Sequence, residues 1–124
     1  MEAGECFLRP GGGHLWIVIS DPKLDHRCVV AVNISTVKET TKANLLTCVL
    51  NPGDHPFVNR RSYVVFKLAM MRTNAQLEKM VGGGGYEIQT PVTPEVLEKI
   101  REAALASDDI PMDMAQILQS QLLD

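Results

Sequence analysis

The front two thirds of the chain reads as short apolar runs separated by turn residues. "ECFLR" stops at Pro10 and three glycines, "HLWIVIS" at Asp21-Pro22, and "RCVVAVNIS" runs out into the polar "TVKETTKAN". "LLTCVL" ends at Asn51-Pro52-Gly53, and "SYVVFKLAM" follows. Five β-rich runs at this spacing predict a small antiparallel barrel or strongly curled sheet. In "HLWIVIS" both alternating faces are apolar, with His14, Trp16, Val18 and Ser20 on one and Leu15, Ile17 and Ile19 on the other. A strand of that kind is central and covered on both sides.

Beyond residue 72 the period changes. Thr73 to Met80 predicts a short helix, Gly82 to Gly85 a break, and "YEIQ" one edge strand. Thr93 then offers an N-cap with Pro94 at the first helical position, and Val96, Ile100 and Ala103/Ala104 share a face. Pro111 starts another helix, with Met114, Ile117, Leu118 and Leu122 as its stripe and Asp113 near its positive end. The fold class is therefore mainly β with C-terminal helices (α+β). One domain over 1–124 is expected, with a β-barrel over about 3–72, a short helix and Gly-rich break over 73–85, and an edge strand and two helices over 86–123. A chain of 124 residues buries roughly two thirds of its unfolded surface and needs no staples.

The net charge of −3 hides a division: residues 1–72 carry nine Lys/Arg against six Asp/Glu, and residues 73–124 carry three against nine. A basic front suits a polyanionic partner, although charges this modest also serve as ordinary solvated surface. Cys6, Cys28 and Cys48 are an odd number at wide spacings without C-x-x-C, which predicts buried thiols in a reducing, cytoplasmic setting. "MEAGECFLRP" lacks a basic segment followed by an apolar one, so neither export nor a membrane is expected.

The candidate chemistry gathers at strand ends. His14 follows the glycines at the mouth of a central strand; Ser35 and Thr36 end the next; "CVLNPGDHPF" presents Asp54 and His55; "VNRRSY" adds Arg60, Arg61, Ser62 and Tyr63. Two imidazoles, hydroxyls and a cationic pair are what RNA cleavage without a metal requires. One group takes the 2′-hydroxyl proton, a cation steadies the phosphate oxygens, and another protonates the departing 5′-oxygen. Asp54 either orients His55 or caps the turn. His26, in "KLDHR", reads as surface. His14, His55 and the cysteines show no metal-ligand spacing, and no cofactor is implied.

The order "HLWIVIS", "VVAVNIST", polar loop, "TCVLNPGDHPFVNRRSYVVFKLAM" and helical tail resembles the PemK/MazF type of toxin ribonuclease over roughly residues 3–106. The resemblance implies an SH3-like barrel, usually a homodimer, that cuts single-stranded RNA without metal and is restrained by an antitoxin protein. It implies that Ser35 stands where the family has a catalytic Thr or Ser. The family's catalytic Arg-Pro pair is replaced here by His14-Leu15. An imidazole moves protons but does not reproduce arginine's permanent bidentate grip on phosphate. Either Arg60 or Arg61 supplies that charge, with His14, Ser35 and His55 catalytic and Thr36 and Tyr63 helping to hold RNA, or the barrel binds nucleic acid or protein without cutting.

Overall fold

Six strands form one antiparallel sheet: β1 (Cys6–Leu8), β2 (Leu15–Val18), β3 (Val29–Thr36), β4 (Val49–Leu50), β5 (Ser62–Arg72) and β6 (Glu87–Gln89). In the computed structural model their order is β4-β5-β3-β2-β1-β6, a curled half-barrel whose edges are β4 and β6. Residues 1–9, 13–24 and 28–122 are described; His26 and residue 123, both assigned places from the sequence, lie outside the described residues.

Both faces of the sheet are covered, which is why the central runs are continuously apolar. Val30, Val32 and Ile34 of β3 join Leu15, Ile17 and Ile19 in the larger core, while Val29 and Ala31 join Phe7, Trp16, Val18 and Tyr86 in the smaller. Period-2 alternation along β3 makes this division. The larger core is closed by α2 (Pro94–Ala106) and α3 (Met112–Leu122), through Val96, Ile100, Ala104, Met114 and Leu118. Ile100 is fully buried, and truncating such a side chain to alanine costs about 2–5 kcal/mol. The smaller core is closed by α1 (Asn74–Gly82) through Leu77.

Local chemistry sets the element ends. Thr73 caps α1 in a reciprocal box: its hydroxyl accepts from the Gln76 amide at 3.0 Å, and its own amide donates to the Gln76 side chain at 2.9 Å. The helix runs on through Gly82, two residues past the expected end at Met80, so the glycine break begins at Gly83. Thr93 caps α2 with Pro94 behind it. The run "LLTCVL" is strand only at Val49–Leu50 and follows a 3₁₀ turn, Ala43–Leu45. Buried Gln121 of α3 accepts from the Asp21 amide at 2.7 Å, pinning the last helix to the turn after β2.

After β4 the chain turns through Asn51-Pro52-Gly53-Asp54. The Asp54 amide donates to the Asn51 carbonyl at 3.0 Å, and Gly53 has φ +102°, a conformation that favours glycine. The Asp54 carboxylate accepts from the Asn51 amide at 2.7 Å. Asp54 thus caps the turn.

Cys6 and Cys48 are buried free thiols, while Cys28 is only half-buried. Burial pushes Cys6 up to about 12 and Cys48 up to about 11, the latter moderated by the positive charge of Lys99. No helix among the described residues is long and apolar enough to cross a membrane.

Candidate functional site

Register builds the site. Trp16 of β2 pairs with Asn33 of β3. His14, just before β2, reaches the Ile34 carbonyl of β3 with its ring, and the next residue of β3, Ser35, pairs with Tyr63 of β5. Residues directly opposite in antiparallel strands share a face, so Ser35 and Tyr63 stand side by side with His14 at the same strand end. Thr36, paired with Ser62, falls on the other face.

His14 is exposed, and its Nδ1 lies 3.0 Å from the Ile34 carbonyl. A carbonyl only accepts, so Nδ1 carries the hydrogen and Nε2 of the neutral ring keeps its lone pair. The ring is held by the backbone of the neighbouring strand and remains open to a ligand. Around it lies a cavity of about 370 Å³ to which Ser35, Thr36, Phe57, Asn59 and Ser62 contribute. Three hydroxyl-bearing residues, one carboxamide and one oriented imidazole line a space large enough for a phosphodiester.

His55 takes a different role from the one its sequence context predicts. It is 4 % exposed, its Nδ1 accepts from the Phe57 amide at 2.9 Å, and its Nε2 donates to the Thr90 carbonyl at 2.5 Å. Both nitrogens are occupied, in the tautomer opposite to that of His14. His55 does not line the His14 cavity. The imidazole is a clamp between the loop after β4 and the segment that leads into α2, which removes the basis for two histidines sharing a proton transfer.

The arginine pair is also displaced from its expected position. Arg61 is exposed and lines a separate cavity with Asn51, Lys99 and Glu102, and exposed Arg60 lines neither. Tyr63 lines a second, larger groove of about 790 Å³ with Thr41, Lys42, Asn44, Lys67 and Leu68. The structure brings His14, Ser35 and Thr36 to one cavity. It sets Arg60, Arg61 and His55 apart from that cavity and Tyr63 on its neighbour.

Sequence reasoning missed Asn59 and the lysines of the larger groove, whereas Ser62 belongs to the segment it singled out and does line the cavity. Asn59 immediately precedes the Arg60-Arg61 pair, whose charge drew attention from it. Asn33, opposite Trp16, is 5 % exposed, and its Oδ1 has no hydrogen-bond donor among the described residues. That leaves an unsatisfied acceptor two residues inward from Ser35 on β3. No group of three or more His, Cys, Asp or Glu that could hold a metal ion is found among the described residues.

Comparison with protein-family models and with curated protein sequences returns no match.

Proposed function

We propose that the chain is a metal-independent endoribonuclease of PemK/MazF type that cuts single-stranded RNA in the cytoplasm, with His14 as its proton-transfer group. The observation that supports this is the His14 ring itself. Its Nδ1 is anchored on the Ile34 carbonyl and its Nε2 is left open, in a cavity that Ser35, Thr36 and Ser62 help to line. In the proposed reaction Nε2 takes the proton of a 2′-hydroxyl, and the 2′-oxygen forms a bond to phosphorus as the bond to the 5′-oxygen breaks. The 5′-oxygen leaves with a proton from solvent, giving a cyclic phosphate and a 5′-hydroxyl. Ser35 and Thr36 donate hydrogen bonds to the phosphate oxygens, and a base stacks on Tyr63 in the adjoining groove.

The resemblance behind this reading also carries a homodimer and an antitoxin partner. The buried thiols Cys6 and Cys48 fit a reducing compartment. A second reading, a barrel of the same shape that binds nucleic acid or protein without cutting, is favoured by the closed hydrogen bonding of His55 and by the distance of Arg60 and Arg61 from the cavity's lining. Incubating the purified chain with labelled single-stranded RNA in EDTA separates the two. Cleavage supports the nuclease, and retention of intact RNA supports the binding module.

A further inference from the structure

A phosphodiester held by an imidazole and hydroxyls still lacks a permanent positive charge, and none of Arg9, Arg60 and Arg61 lines the cavity itself, so the cation has to reach it from beside it. The register of the first hairpin supplies a different candidate. Phe7 pairs with Trp16 and Leu8 with Leu15, the last pair of that ladder. Arg9 directly follows β1 and His14 directly precedes β2, so both stand at the same end of the ladder.

The guanidinium of Arg9 is fixed there. Its central carbon stands 5.5 Å from the centroid of the Trp16 ring. Trp16 is itself rigid, being buried and stacked on Phe7 at 6.3 Å with an interplanar angle of 6°. One side of the guanidinium rests on the indole while the residue as a whole stays exposed. The ion pairs among the described residues join Glu78 to the N-terminal amine and Glu2 to Lys23, and neither involves Arg9. A planar cation seated on an aromatic ring, at the strand end that carries an oriented imidazole, is arranged to receive an anion.

We infer that Arg9 is the phosphate-binding cation of this site, gripping the backbone of the RNA whose 2′-hydroxyl faces His14. The inference rests on the proposed RNA reading and adds the residue that supplies the fixed charge. It also accounts for the histidine at position 14. The charge follows β1 and the proton carrier precedes β2, so the two roles fall at the same end of two paired strands.

The test is RNA binding and cleavage in EDTA at a series of salt concentrations, with wild type, Arg9→Ala, Arg9→Gln and Arg9→Lys, and with melting temperatures recorded for each. Arg9→Gln keeps a planar polar group over Trp16 without charge, so a role confined to stacking would leave it close to wild type. Expected for both uncharged variants are binding weakened roughly tenfold, a log–log salt slope shallower by about 0.7, and cleavage slowed on the order of 10²-fold. Arg9→Lys should keep the salt slope and recover only part of the rate, since it restores charge without the bidentate fork. Wild-type slope and rate in Arg9→Ala and Arg9→Gln would overturn the assignment and leave the RNA reading standing. Absence of RNA binding by the wild type would overturn both.

Discussion

The imidazole of His55 ties the loop after β4 to the segment before α2 through the Thr90 carbonyl, 35 residues further along the chain. Its other nitrogen accepts from the Phe57 amide. Removing the ring takes the partner from the Phe57 N–H and the Thr90 C=O, both part-buried, and leaves a cavity at a position that is 4 % exposed. His55→Ala should therefore lower the unfolding free energy by roughly 2–4 kcal/mol in urea titration. Activity per folded molecule should stay within a few-fold of wild type. A 10²-fold or greater loss of rate at unchanged stability would return His55 to the chemistry.

Tyr63 stands opposite Ser35 at the boundary between the His14 cavity and the larger groove. If a base stacks there, Tyr63→Ala should weaken single-stranded RNA binding by about 1–3 kcal/mol, while Tyr63→Phe, which keeps the ring, should stay near wild type. Equal losses in both variants would point to the hydroxyl and contradict stacking.

The buried thiols make stability depend on alkaline pH. Cys6 and Cys48 ionise at about 12 and about 11 in the folded chain against 9.0 when unfolded. The unfolded chain thus gives up these protons first, and rising pH favours unfolding. Their contribution is fully present below pH 9.0 and is lost as pH climbs through the folded values. Denaturation midpoints measured from pH 8 to 11 should fall less steeply for the Cys6→Ala/Cys48→Ala double variant than for wild type. Parallel curves would count against the burial assignment.

Strand β5 is eleven residues long but β4 pairs only with Ser62 and Tyr63, so the rest of its outer edge has no strand partner in the sheet. Leu68, 60 % exposed, stands on that stretch. Such an edge invites pairing with another chain. The proposed homodimer is expected to use it. Light scattering at micromolar concentration should give a dimer mass for wild type and a monomer mass for Leu68→Lys. A wild-type monomer, or a dimer unmoved by the substitution, would place this expectation in error.

The strands and helices were legible because their signals are local. The continuous apolar run Leu15–Ile19 announced a doubly covered strand, and Thr93-Pro94 announced the start of α2, within a few residues each. His14 and Ser35 were legible as strand-end polar residues for the same reason. The pairing partners were not. That His55 meets Thr90 depends on how β6 returns to the edge of the sheet, and no residue near position 55 encodes it. Arg9, a single cation at the end of a short run, carries less local signal than the adjacent Arg60-Arg61 pair. Composition marks a cationic pair; only register shows which side chains share a row.

The role proposed for His14, moving the proton in RNA cleavage, is open to a direct measurement: labelled single-stranded RNA is followed in EDTA with wild type and His14→Ala, and the new ends are identified by mass spectrometry. Wild type should yield fragments ending in a cyclic phosphate, with 5′-hydroxyl partners. His14→Ala should cut on the order of 10²–10⁴-fold more slowly while binding the same RNA with nearly unchanged affinity. RNA that is bound and left intact by the wild type, or cleaved equally well without the imidazole, would contradict the account.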